Sequence, residues 1–184
     1  LAEVQEQKDE LLKQKLDFDK KVRTLRKEKL KAEEEVKAVL ASIQDLNYKL
    51  EMLSEEKFEA FQGRMRLPVN GRIVKRYKPN ATPPHRGLSF ATDTEAEVRA
   101  VHGGKIVHAD ILRGFGQVVI ILHGDDYYSL YTFMSDSTVD VGQMVSAGDV
   151  VGHTGFYPDL DRPGLYFELR ENKNPVNPEK WLAL

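Results

Sequence analysis

Residues 1–60 contain neither glycine nor proline, whereas all 13 glycines and all 8 prolines of the 184-residue chain lie beyond them. A stretch with no flexible or donor-lacking backbone is free to form one uninterrupted helix. Within it runs a heptad. The d positions are Val4, Leu11, Phe18, Leu25, Ala32, Val39, Leu46, Leu53 and Ala60, all apolar. The a positions are Leu1, Lys8, Lys15, Val22, Lys29, Val36, Ile43, Leu50 and Lys57, five of the nine apolar. A 3.5-residue repeat kept over eight heptads is the pattern of a coiled coil. As one straight helix the segment would reach roughly 90 Å. Its stripe needs a partner helix to be buried. Lysines at four a positions would meet their own copies in a parallel dimer, which favours an antiparallel hairpin with an upstream helix. Such a coil serves as a spacer and oligomerisation rod or as a docking arm for another protein.

Composition narrows the partners. The 27 Lys and Arg residues against 29 Asp and Glu give a net charge of −2. That balance speaks against nucleic acid, which recruits a basic surplus. Without cysteine there is no disulfide framework, thiolate nucleophile or Cys-ligated zinc. No apolar run approaches the ~20 residues of a membrane span, and no signal peptide is visible. The chain begins at Leu1 in mid-pattern, so an upstream segment, including any export signal, is expected.

The pattern changes at residues 61–69, where Gly63 and Pro68 end the helix. Short strands are predicted at Arg72–Arg76, Gly87–Ala91, Glu97–Val101, Lys105–Leu112, Gln117–His123, Tyr127–Thr132, Val150–Thr154 and Leu165–Glu171. Gly124-Asp125-Asp126 reads as a hairpin turn, and Gly103-Gly104 as a second one. No useful helix follows residue 62. The expectation is a coiled coil over 1–60, a linker over 61–69 and an all-β domain over 70–184.

Spacing alone reveals no catalytic centre. His85, His102, His108, His123 and His153 form no H-x-H, H-x-x-H or H-E-x-x-H pair. His102 and His108 flank the Gly103-Gly104 turn as a surface hairpin, His123 ends a strand, and His153 lies in a Gly-His-Thr-Gly turn. There is no Gly-x-Ser-x-Gly, and Gly114-Phe115-Gly116 lacks the rest of a dinucleotide fingerprint.

The order of short motifs is more informative. Pro84-His85-Arg86-Gly87-Leu88-Ser89, Val98-Arg99-Ala100-Val101 and Gly114-Phe115-Gly116-Gln117-Val118 follow one another. Leu130-Tyr131-Thr132-Phe133-Met134-Ser135, Gly148-Asp149-Val150-Val151-Gly152 and Leu165-Tyr166-Phe167-Glu168-Leu169-Arg170 come after them. Over residues 67–182 this series resembles the lysostaphin-type, or LytM-type, zinc endopeptidases that cleave peptidoglycan cross-links. The resemblance implies an all-β fold of the duplicated hybrid motif kind, preceded here by the α-helical coiled coil. Active members hold zinc with a His-x-x-x-Asp pair and the second His of a His-x-His. The first His of that pair and one further His assist catalysis. In this sequence His85 keeps the first ligand position, but Ser89 stands at the Asp position and Phe133 at the catalytic His. Gly164-Leu165-Tyr166 replaces His-x-His. Three protein ligands are the usual minimum for catalytic zinc, and neither Phe133 nor Tyr166 is a base near pH 7. No metal, cofactor or peptidase activity is therefore expected from the His85, Ser89 and Tyr166 remnant.

Aromatics in place of ligands suggest an apolar groove with charged rims, suited to an amphipathic helix. Strand alternation places Tyr166 on that face and Leu165 and Phe167 on the other. The tail, Arg162 to Arg170 followed by Val176-Asn177-Pro178 and Trp181-Leu182, resembles the EnvC-type amidase activators, degenerate LytM-domain proteins of the Gram-negative periplasm that also carry a coiled coil. What this implies is a non-catalytic activator. Its groove takes the autoinhibitory helix of an N-acetylmuramoyl-L-alanine amidase and frees that enzyme to split septal peptidoglycan in cell division. The coil is expected to dock an FtsEX-type ABC transporter, and residues 40–62 to form either a helix covering the groove or the base of the rod. The groove positions carried over are Arg86, Ser89, Phe115, Val118, Tyr131, Tyr166 and Arg170, to which Phe133 is added. The alternatives are a scaffold that binds peptidoglycan without activating anything, and a residual zinc endopeptidase.

Overall fold

The computed structural model describes residues 2–53 and 57–184. Two compact units divide between Ile43 and Gln44. Helix α1 (Ala2–Leu53) carries the heptad; Leu1 and the Leu53 side chain lie outside the described residues. The seam is bare. Leu11 is 66% exposed, Phe18 68% and Ile43 47%. The other faces are laced one turn apart, as between Lys31 and Glu35 at 3.9 Å and Lys49 and Asp45 at 2.5 Å. Pairs of this kind add only tenths of a kcal/mol each.

The expected heptad does not reach its last positions as helix. Lys57 and Ala60 flank or sit within a 3-10 turn, Phe58–Phe61, and residues 54–56 of the 40–62 stretch lie outside the described residues. Phe58 is 3% exposed and joins the hydrophobic core of the β unit. Its ring lies 4.6 Å from Tyr127, 5.0 Å from Trp181 and 5.2 Å from both His102 and His123. The segment read as a linker belongs to the same core. Met65 and Val69 are buried, and Met65 exchanges backbone hydrogen bonds with the C-terminal segment through Trp181 and Ala183.

All eight predicted strands form. They are β1 (Arg72–Lys75), β2 (Leu88–Ala91), β3 (Glu97–Arg99), β4 (Gly104–Leu112), β5 (Gly116–Gly124), β6 (Tyr127–Ser137), β8 (Val150–Tyr157) and β9 (Arg162–Glu171). Two more, β7 (Met144–Val145) and β10 (Asn174–Val176), are too short to show alternation. Beyond residue 61 the described residues hold no α-helix, only 3-10 turns at Pro158–Leu160 and Pro178–Lys180. The sheet is antiparallel in the order β1-β2-β9-β8-β6-β5-β4-β7, with β10 on β9, β3 on β8 and a further β6–β9 pairing.

Asp125 and Asp126 (φ 47° and 62°) close the β5–β6 hairpin in the left-handed region, as a two-residue type I′ turn requires. The second expected hairpin does not exist. β3 pairs with β8, and β4 with β5 and β7. The Val101–Gly103 connection is instead held inside. The Val101 N–H donates to the Tyr131 hydroxyl at 3.0 Å, and the Gly103 carbonyl accepts from His123 Nδ1 at 2.7 Å. His153, expected in a turn, lies within β8, paired with Asp136 at 3.0 Å.

One face of the sheet is the core. Leu88, Phe90, Val119, Ile121, Tyr131, Leu165 and Phe167 are at most 1% exposed. Among the described residues no helix is long and apolar enough to cross a membrane.

Candidate functional site

The opposite face of the sheet carries the candidate site, and its floor follows from the strand register. Directly opposed residues share a face. One cross-strand row is Ser89–Tyr166–Thr132, the next is Glu168–Leu130–Ile120, and the next Arg170–Tyr128–Leu122. The alternation Tyr166, Glu168, Arg170 on β9 thus lines the groove while Leu165, Phe167 and Leu169 fill the core. A cleft of about 700 Å³ lies over this floor, walled by Pro84, His85 and Arg86 on one side and Leu112, Gly114 and Phe115 on the other.

Phe133 enters this wall through a break in alternation. It has φ 62°, an uncommon value for a bulky residue. Its N–H donates to the Phe115 carbonyl at 2.7 Å. β6 loses regular register beyond Thr132, with shifts against both β5 and β8. Phe133 consequently joins Thr132 in the cleft. Its ring stacks on Tyr157 at 4.2 Å and lies 6.1 Å from Phe115.

At the remnant metal position the polar atoms satisfy one another. His85 Nδ1 faces the Arg76 carbonyl at 3.1 Å, so it carries the proton. Nε2 then accepts from Ser89 Oγ at 3.0 Å, and Ser89 in turn accepts from the Tyr157 hydroxyl at 3.0 Å. Ser89 is fully buried beneath them. The donor set does not fit catalytic zinc. It comprises one imidazole whose nitrogens are both engaged, a serine hydroxyl and the Tyr166 phenol. Burial, reinforced by the Glu168 carboxylate, pushes that phenol's pKa up, so it stays protonated. Among the described residues no three His, Asp or Glu side chains are grouped to hold a metal ion. Gly164, at the position of the first His of His-x-His, has no room for any side chain, because a Cβ there would lie 2.4 Å from the Phe90 carbonyl oxygen.

Glu168 organises the floor. It is 4% exposed, and its two oxygens take the Tyr166 hydroxyl at 2.8 Å and Arg170 Nε at 2.5 Å. A buried carboxylate persists only when paired in this way. The ladder fixes the Tyr166 ring edge-on to His85 at 5.4 Å.

Of the predicted groove residues, Arg86, Phe115, Val118, Phe133, Tyr166 and Arg170 come together around one cleft, with His85 of the metal remnant beside them. Two do not line it. Tyr131 is fully buried on the core face, packed 5.3 Å from Phe167 and hydrogen-bonded to Ser129 and Val101. The bulge at Phe133 is the reason: two-residue alternation would put Tyr131 and Phe133 together, and the bulge separates them. Ser89 is on the groove face but sealed under His85 and Tyr157. Sequence reasoning missed Glu168 and Tyr157. Glu168 was legible as the middle residue of the Tyr166–Arg170 alternation, whereas Tyr157 depends on β8 continuing three residues past Thr154.

The remaining histidines lie elsewhere. His102, expected on a surface hairpin, is buried against Phe61 at 4.5 Å and His123 at 5.7 Å. His123 is enclosed, with Ser129 Oγ donating to Nε2 at 2.7 Å. Desolvation lowers its pKa to about 3, against a smaller opposite effect from the Gly103 carbonyl.

A ten-stranded antiparallel sheet with a cleft over the His85 position defines a LytM-type peptidase fold with a degenerate metal site. The sequence profile of peptidase family M23 matches residues 83–178, and the chain belongs to that family. The murein hydrolase activator EnvC of Escherichia coli (strain K12) is 35% identical over 124 residues, 66% of this chain and 30% of that protein. The murein hydrolase activator NlpD of the same strain is 31% identical over 121 residues, 64% of this chain and 31% of that protein. The chain thus spans about a third of each relative's length. Among solved structures, the antimicrobial peptidase lysostaphin from Staphylococcus simulans superposes with a TM-score of 0.52 at 27% identity, covering 59% of this chain and 47% of that one.

Proposed function

We propose that the chain is a non-catalytic activator of a periplasmic N-acetylmuramoyl-L-alanine amidase. In this reading the cleft binds the amidase's autoinhibitory helix and so promotes septal peptidoglycan cleavage. The observation that carries it is the aromatic lining at the former metal position. Phe115, Phe133 and Tyr166 border the cleft, and the retained His85 is tied into hydrogen bonds. Relatives named murein hydrolase activators support the same direction. The bare seam of α1 suits docking on an FtsEX-type transporter.

Activation on this scheme is a population shift, in which the activator binds the open amidase more tightly than the closed one. A 100-fold shift corresponds to about 2.7 kcal/mol, within reach of one or two buried aromatic anchors. The test is release of dye from labelled sacculi by the cognate amidase, with and without this chain. Release only with both proteins is expected. Tyr166→Ala and Arg170→Ala should abolish it while circular dichroism stays unchanged. Release by this chain alone would instead mean a residual peptidase. Sacculus binding without release, indifferent to both substitutions, would mean a scaffold.

A further inference from the structure

The floor of the cleft does not stop at Glu168. The row beyond it runs Lys105–Leu122–Tyr128–Arg170 across β4, β5, β6 and β9. A second hollow, of about 740 Å³, lies against the Tyr128 and Arg170 end of this row and shares Ile120, Leu130 and Arg170 with the first. The two are one trough. Their chemistry differs. The first holds the aromatics, with Arg86, Asp159 and Glu168 among them. The second is lined by Arg170, Lys173, Tyr128, two asparagines and three aliphatic residues, with no acidic side chain. Lys105 lies at the end of the same row, on the exposed face.

These cations are available. Neither Lys105 nor Lys173 has an ion-pair partner among the described residues. Arg170 engages Glu168 through Nε alone. Glu171, next to Arg170 in sequence, belongs to the opposite face beside Tyr127. The trough therefore has a mixed aromatic end and a purely basic end.

Resting on the groove function above, we propose that this basic row is a second subsite, which receives the acidic carboxyl-terminal end of the docked helix and so fixes its direction. Four residues along β9 separate Tyr166 from Arg170, roughly 13 Å at strand rise. A helix covers that distance in about eight or nine residues. An apolar anchor over Phe133 and Tyr166 thus requires its acidic partner about eight or nine positions later. The negative end of the helix dipole adds to the same attraction.

The probes are three fluorescein-labelled, 16-residue amphipathic peptides with the same Leu/Ala face. One carries Glu-Glu in its last turn, one Lys-Lys there, and one Glu-Glu in its first turn. Anisotropy with the whole chain should show the first binding about tenfold more tightly than the other two at low salt, with the gap narrowing as salt screens it. The charge swap Lys105→Glu with Lys173→Glu, both on the surface, should reverse the order. Tyr166→Ala should weaken all three peptides alike. If the swap leaves the order unchanged while Tyr166→Ala weakens every peptide, the basic subsite is refuted and the groove stands. If Tyr166→Ala changes nothing, the groove itself is refuted.

Discussion

Replacing Phe58 with alanine removes a ring that is 3% exposed and lies within 5.2 Å of four other rings, those of Tyr127, Trp181, His102 and His123. A phenyl-sized deletion in a packed core costs about 3–5 kcal/mol, the lost transfer energy plus the cavity left behind. For a unit the size of residues 44–184, the entropy of unfolding is about 0.3 kcal/mol per degree. The melting temperature should therefore fall by roughly 10–17 °C. Trp181 is the only tryptophan of the chain and lies 5.0 Å from Phe58, so its fluorescence reports both the melt and the local environment. Ile111→Ala, at a side chain 71% exposed on β4, is the control and should melt within about 2 °C of wild type. A Phe58→Ala protein that melts like the control, with unshifted Trp181 emission, would refute the reasoning and return residue 58 to the coil. The same logic sets the limits of any fragment: a chain cut at Phe61 loses the Phe58 ring and should be destabilised as much as Phe58→Ala.

Two further predictions concern titration and metal. His123 is held neutral in the fold, with its pKa lowered to about 3 by burial, against about 6.5 when unfolded. The unfolded state binds the extra proton, so this contribution is complete above pH 6.5 and is lost as pH falls towards 3. Between pH 6.5 and 5 the loss is about 2 kcal/mol, or roughly 6 °C in melting temperature; His123→Gln should flatten that slope, and an equal slope in the variant would sink the assignment. In the remnant metal site, His85 Nδ1 is already anchored by the Arg76 carbonyl and Nε2 points to Ser89, the orientation metal-binding imidazoles use. Ser89→Asp with Tyr166→His should therefore regain near-stoichiometric zinc by atomic absorption but no peptidase activity, because Phe133 and Gly164 supply no base; zinc at the wild-type level in the double variant would show that the backbone no longer presents the site.

How far the sequence could be followed depended on whether a decision was local. The strands of the sheet were legible because Val118–Leu122 and Leu165–Arg170 carry their own β signals, apolar runs and two-residue alternation. The side of β9 that Tyr166 takes followed from that alternation, whereas Arg170 was carried over from the family resemblance. Three features resisted for one reason: each is set by partners distant in the chain. Tyr131 reads as a groove residue until the left-handed backbone at Phe133 breaks the alternation. Phe58 sits next to a heptad position, yet the aromatic pocket made by His102, His123, Tyr127 and Trp181 takes it from the coil, because burying a ring outweighs a few tenths of a kcal/mol of helix propensity. The Gly103-Gly104 pair looks like a hairpin turn, but its carbonyl is claimed by His123 across the sheet, and β3 is thereby free to pair with β8. The basic end of the trough belongs to the same class. Lys105 and Arg170 lie 65 positions apart in the chain, and only the register of β4, β5, β6 and β9 brings them to the two ends of one row. A partner that reads this face is recognised by that register, so substitutions that shift it, such as a residue inserted in the Gly124–Asp126 turn, should abolish helix binding while leaving each lining residue chemically intact.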